Sequence, residues 1–150
     1  MSDRFDKFTT GAKQVLVRSQ QQAQHFNHNY IGTEHLLLGL VDVDAWHAHA
    51  ALRELGADPA AVRRAVEAVI GYGDHLVIGD ISLTPRAKKA IALTVAEARS
   101  LQQHVIDTEH LLLGLVAEGE EVAAGVLTSL RVELEPARAA VRRLRDAPGA

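Results

Sequence analysis

The chain has no cysteine among its 150 residues. That absence excludes a disulfide framework, thiolate zinc sites and cysteine nucleophiles, and it fits a reducing compartment. Long apolar runs are missing too. Stretches such as Leu111–Ala117 are among the longest, far below the roughly 18 residues that span a bilayer. The opening Met1–Lys7 holds no hydrophobic segment that would direct secretion. Nor is there an excess of positive charge. Residues 1–75 carry 7 basic and 9 acidic groups and residues 76–150 carry 9 and 10, so a phosphate-tracking nucleic-acid binder is excluded. No glycine precedes a lysine, and H-E-x-x-H, G-x-S-x-G and G-x-G-x-x-G are all absent, which removes the familiar signatures of phosphate loops, metalloproteases, serine hydrolases and dinucleotide folds. The expectation is a soluble cytoplasmic protein without catalysis, cofactor, nucleic-acid partner or membrane partner.

What is present is ordinary globular material: 47% hydrophobic and 23% charged residues with a net charge of −3. A chain of this size buries roughly two-thirds of its unfolded surface and needs no staple.

The chain also repeats itself. Shifted by 75 residues, Thr9 falls on Thr84, Ala12-Lys13 on Ala87-Lys88, Ala23 on Ala98, and the whole of Thr33–Val41 on Thr108–Val116. Fourteen of the 33 positions from Thr9 to Val41 match their partners without a gap, and weaker register continues through Leu52/Leu127 and Val66/Val141. Two copies of one unit are therefore expected: repeat one over about 4–71, a linker over about 72–83 and repeat two over about 84–146.

Each copy reads as four helices. Thr9 and Thr84 suit N-caps, and Pro85 sits where a first turn tolerates a missing N–H. Val15, Leu16, Ser19, Ala23 and Phe26 keep a helical period, as do Ala87, Ile91, Val95, Ala98 and Leu101. Thr33 and Thr108 are expected to cap the second helices, with Glu34 and Glu109 in the first turn, where the dipole favours an anion. A third helix is expected from about Ala45 to Leu55, stopped by Gly56, and a fourth from Asp58-Pro59 to near Gly71. Its counterpart runs from about Glu133 to before Pro148. The linker reads as loop with a brief extended segment, and no other stretch argues for strand. The fold class is all-α: two pseudo-twofold-related four-helix repeats packed into one eight-helix domain.

Eight histidines invite a metal hypothesis, but His47 and His49 are two apart and point about 200° from each other on a helix. His35 and His110 follow a cap, where an imidazole satisfies a local hydrogen bond. No metal site is expected. Glu34 and Glu109 stand out, because Thr-Glu-His is identical in both copies while the flanking residues have diverged. Packing accounts for the leucines and not for the glutamates. A carboxylate beside a capped helix start can hold a cation while free backbone N–H groups hold an anion, which suits a ligand carrying both charges.

Phe8-Thr9 with Ala12-Lys13, His28–Leu40 and Thr84–Lys89 resemble the amino-terminal repeat domain of the bacterial Clp/HSP100 unfoldases, closest to the ClpC branch, over about Arg4 to Leu144. The resemblance implies an all-α two-repeat fold and a recognition function: receiving adaptors and substrates of the Clp machinery for a Clp ATPase, and binding phosphoarginine as a degradation mark. It implies one such site per repeat, Glu34 with Thr9 and Glu109 with Thr84, the glutamate taking the guanidinium and the threonine the phosphate. It also implies a groove for cyclic peptide antibiotics at Phe5, Leu83 and Lys88, where Leu83 replaces the family's usual aromatic. Two departures matter. Asp107 replaces glycine and puts an extra negative charge beside Glu109. Trp46, the sole tryptophan, lies in an atypical Asp42–His49 segment, as a core filler or as an anchor for a partner. This segment and the lost glycine favour a stand-alone relative over an excised domain. The alternative function is a structural interaction protein that docks a dedicated partner through the Trp46 region.

Overall fold

The computed structural model describes residues 5–44 and 46–146, excepting the side chain of Asp146. Within them the order is α1 (Thr10–His25), β1 (Tyr30–Ile31), α2 (Thr33–Leu40), α3 (His47–Glu54), α4 (Pro59–Val69), β2 (Ser82–Leu83), α5 (Pro85–Ser100), α6 (Thr108–Glu118), α7 (Val122–Ser129) and α8 (Leu134–Asp146). The expected start of the third helix at Ala45 lies outside the described residues.

Helices α1 and α5 begin as their sequences ask. The Thr9 hydroxyl accepts the Ala12 N–H and the Thr84 hydroxyl accepts the Ala87 N–H, each at 3.1 Å. Asp58 caps α4 by accepting the Ala60 N–H at 3.0 Å, ahead of Pro59 in the first turn.

The second helices are capped differently from the expectation. Gly32 and Asp107, not Thr33 and Thr108, are the cap residues. Their backbone N–H groups donate to Nδ1 of His35 and His110, each at 2.9 Å. The threonine hydroxyls are thereby released to work across the domain. Thr108 accepts the Ala48 N–H at the start of α3 (3.0 Å), and Thr33 accepts the Ala123 N–H at the start of α7 (3.3 Å). Neither Trp46 nor Glu121, the cap residues of α3 and α7, supplies a side-chain cap bond. Each repeat thus finishes a helix of the other.

The connections cross in the same way. Besides the linker, Tyr30–Ile31 is also extended: it pairs in parallel with β2, Tyr30 opposite Ser82 and Ile31 opposite Leu83. An isolated bridge between Phe8 and Ile106 is its pseudo-symmetric partner. The N–H groups of Thr84 and Thr9 then donate to the carbonyls of Ile31 and Ile106, each at 2.9 Å. Propensity over two residues carries little signal, so only the tertiary pairing reveals these strands.

The leucine-rich α2 and α6 are buried all round, with Leu36, Leu37, Leu38 and Leu40 and their counterparts Leu111, Leu112, Leu113 and Leu115 forming the centre of the core. Helix α8 is tied down from outside. Arg138 grips the buried Glu97 of α5 bidentately, with Nε–Oε1 and Nη2–Oε2 both 2.7 Å, and Arg143 pairs with Glu54 of α3. These two contacts place the last turn of α8 beside the start of α6.

Candidate functional site

The crossed strands decide which side chains meet. Because β1 runs beside β2, Glu34 faces Thr84. A cleft of about 330 Å³ is lined by Tyr30, Gly32 and Glu34 on one side and by Thr84, Pro85, Arg86 and Glu121 on the other. Thr9 instead lies at the second repeat, its hydroxyl donating to Asp107 Oδ1 at 2.8 Å. The expected pairing of Glu34 with Thr9 and Glu109 with Thr84 is therefore corrected: each glutamate lies beside the threonine that caps the other repeat's first helix.

In the first site Glu34 sits in the first turn of α2 and is 9% exposed. Gly32 makes room for its carboxylate, since a Cβ there would come within 2.2 Å of Oε1. The Tyr30 hydroxyl is pushed above its ordinary value, first by burial, then by the charge of Glu34 and the hydrogen bond to it. Across the cleft the Thr84 oxygen accepts from Ala87, so its own proton remains available to an incoming acceptor. The adjoining N-terminus of the 16-residue α5 adds positive potential. Arg86 is held there by Glu118, 3.3 Å away and fully buried, and by the exposed Glu120. Glu118 Oε1 also accepts the N–H groups of Glu120 (3.2 Å) and Glu121 (2.9 Å), which fixes the turn between α6 and α7. The cleft consequently offers the Glu34 carboxylate, the Thr84 hydroxyl, the Arg86 guanidinium and a helix start, with Glu121 also on its wall.

The second site has the same skeleton with different contents. Glu109 is fully buried. Arg145 Nε lies 2.8 Å from Glu109 Oε2, and Arg145 Nη2 donates to Asp107 Oδ2 at 3.2 Å. His47 Nδ1 stands 3.2 Å from Asp107 Oδ2 and 3.4 Å from Glu109 Oε2. Burial, followed by the charge of Asp107, pushes the Glu109 carboxyl up. Asp107 is held below its ordinary value: burial opposes this, but the Thr9 hydroxyl, the Thr108 N–H, His47 and Arg145 outweigh it. Among the described residues, His47, Asp107 and Glu109 form the one group whose ligand atoms lie within 4.8 Å of one another, as a metal would require. Sequence reasoning did not foresee this cluster, and in this structure Arg145 supplies its positive charge.

The other residues singled out by sequence fall elsewhere. His49 points inward and its Nε2 contacts the Val41 carbonyl at 2.9 Å, opposite in direction to His47. Trp46 is half-buried against the core, its Nε1 3.1 Å from where a Cβ on Gly11 would stand, with the Arg18 guanidinium 5.8 Å from its ring centroid. Phe5 packs edge-on to Phe8 at 5.0 Å. Leu83 is the second residue of β2, and Lys88 is exposed in the first turns of α5.

Comparison with known proteins gives the family. Residues 7–130 match the Clp repeat (R) N-terminal domain. The chain belongs to the Clp N-terminal domain family. It is 46% identical over 140 residues to the negative regulator of genetic competence ClpC/MecB of Bacillus subtilis, covering 93% of this chain and 17% of that protein. A ClpA homolog of Guillardia theta is 43% identical over the same coverage of each. The chain thus spans about a sixth of the length of these curated relatives. Among solved structures, the N-domain of ClpV from Vibrio cholerae superposes with a TM-score of 0.79 at 14% identity, over 97% of this chain and 90% of that one. A ClpV N-domain in complex with a VipB peptide superposes at 0.72 and 15% identity, over 97% and 92%. The Clp N-terminal fold is the all-α two-repeat architecture described above. Among the described residues no helix is long and apolar enough to cross a membrane.

Proposed function

We propose that this chain is a non-catalytic recognition domain of the Clp unfoldase system, acting in the cytoplasm, and that its Glu34–Thr84 cleft takes a phosphorylated arginine side chain on a substrate or adaptor protein destined for a Clp ATPase. The guanidinium lies on the Glu34 carboxylate, where a planar fork meets two oxygens. The phosphoryl group lies toward the Thr84 hydroxyl, the α5 N-terminus and Arg86. The observation that carries this reading is that a nearly buried carboxylate and a proton-donating hydroxyl at a helix start face each other across one cleft. Two charges of opposite sign on one small ligand match that arrangement, and neither an unmodified arginine nor free phosphate uses both ends. The positions assigned by resemblance to cyclic peptide binding, Phe5, Leu83 and Lys88, belong to the same proposal, with Leu83 paired to Ile31 and next in sequence to Thr84 of the cleft. The packing of Trp46 against the core supports its reading as a filler over a partner anchor.

Thermal unfolding in the presence of phosphoarginine tests this. A ligand that binds only the native state at a hundredfold excess over Kd stabilises by about 2.7 kcal/mol, or roughly 5–10 °C in Tm for a domain of this size. The shift is expected in the natural sequence and is expected to vanish in Glu34→Ala and in Thr84→Val. An equal shift in all three proteins would remove the ligand from this cleft.

A further inference from the structure

The two repeats place the same glutamate and the same threonine in equivalent positions, yet one site is open and the other is filled from within. The three side chains that surround Glu109 have no polar counterpart at the equivalent positions around Glu34. At the 75-residue offset Arg145 corresponds to Ile70, His47 to Val122 and Asp107 to Gly32. Arg145 comes from the last turn of α8 and lays Nε and Nη2 against Glu109 and Asp107 at 2.8 and 3.2 Å. One guanidinium thus spans two carboxylates, hydrogen-bonded through Nη2 to Asp107 and ion-paired through Nε with Glu109, and fills the place that an arginine ligand would take. At the other end of the site, the Thr9 proton is spent on Asp107 Oδ1 at 2.8 Å, and a second carboxylate stands where an anion would have to approach.

We infer that the Glu109 pocket is a guanidinium seat whose ligand is the chain's own Arg145, so that the domain presents one site, the Glu34 cleft, to an external phosphorylated arginine. The seat accepts an unmodified guanidinium and rejects a phosphorylated one, because Asp107 both repels the phosphoryl group and takes the hydroxyl that would bind it. The count of external sites rests on the reading of the Glu34 cleft given above; the occupancy of the Glu109 pocket by Arg145 does not.

Chemical rescue separates the two. Arg145→Ala in the full chain leaves a buried carboxylate beside a second one, and Tm is expected to fall by about 5 °C or more. Millimolar ethylguanidinium is then expected to raise the Tm of Arg145→Ala saturably, while leaving the natural sequence and the Arg145→Ala/Glu109→Gln double variant unmoved. If the alanine variant does not fold, Arg145→Lys, which keeps the charge and fills the pocket without a guanidinium, is expected to lower Tm with no response to ethylguanidinium, and a lysine variant as stable as the natural chain would overturn the inference. Calorimetric titration with phosphoarginine is expected to show one equivalent per chain, lost in Glu34→Gln and kept in Glu109→Gln. The inference is overturned if ethylguanidinium acts alike on the natural chain and the alanine variant, or if it fails to stabilise the alanine variant. It is also overturned if the natural chain binds two equivalents, one of them dependent on Glu109. Absence of any phosphoarginine binding would sink the reading of the Glu34 cleft and leave the rescue result to decide the Glu109 pocket.

Discussion

Gly114→Ala is expected to destabilise the domain by about 3 kcal/mol or more, at the upper end of what overpacking costs. Helix α6 crosses α5 at this glycine, and an added Cβ would stand 2.0 Å from Thr94 Oγ1, 2.4 Å from the Ala90 carbonyl oxygen and 2.8 Å from the Thr94 nitrogen. Two of those three atoms are backbone and cannot swing aside, so the helices must part along a contact that buries Leu111, Leu112 and Leu115. The better helix propensity of alanine offsets only about 1 kcal/mol. The equivalent Gly39 in α2 is less crowded, with contacts of 2.7 Å to Ser19 Oγ, 2.8 Å to the Val15 carbonyl and 3.0 Å to the Ser19 nitrogen, so Gly39→Ala should cost about half as much. Gly125 in α7 faces open space, and Gly125→Ala should stabilise by roughly 0.5–1 kcal/mol. Urea midpoints at constant m-value report all three. The order Gly125→Ala above the natural sequence, above Gly39→Ala, above Gly114→Ala is the expected result, and a Gly114→Ala protein as stable as the natural one would contradict the helix crossing.

A second large effect concerns acid. His35 and His110 are fully buried, and each accepts a cap N–H at Nδ1, a role that requires the neutral ring. Burial pushes both from 6.5 to about 4. His28 adds to the shift at His35, and Arg145 and His47 add to it at His110, against Asp107. A histidine whose pKa is lower in the folded chain than in the unfolded chain binds its proton preferentially in the unfolded state. Its contribution is therefore complete above about pH 6.5, declines as pH falls and is gone below about 4. By pH 5 the loss is on the order of 2 kcal/mol for each ring. Urea unfolding at pH 7 and pH 5 is expected to differ by about 4 kcal/mol for the pair. A stability that stays flat over this range, or ring resonances that titrate near 6.5 in the native state, would contradict the buried neutral caps.

Much of this molecule was legible in its sequence, and the reasons are specific. The 75-residue register set the two-repeat architecture, and the hydroxyls of Thr9 and Thr84 cap the helices that their positions imply. The caps of the second helices were misread because threonine is a good cap by itself; only the histidine two residues on, reaching back to the preceding N–H, transfers that role to Gly32 and Asp107. The pairing of glutamates with threonines was crossed because it depends on which extended segments lie side by side. Two-residue strands carry too little local signal to say. Asp107 was visible as an added charge beside Glu109, and the structure adds what faces it. Arg145 lies in another helix, 38 residues away from Asp107, and no spacing rule connects them. The residue that differs between otherwise equivalent positions was the available clue: Arg145 against Ile70.

The central claim is that Glu34 and Thr84 read one doubly charged ligand from opposite sides of one cleft. Backbone amide NMR during a phosphoarginine titration tests it most directly. Saturable shifts are expected at Thr33, Glu34, Arg86, Ala87 and Glu121, absent at Thr108 and Glu109, and lost throughout in Glu34→Gln. Shifts centred on Thr9 and Glu109, or none that saturate, would contradict it.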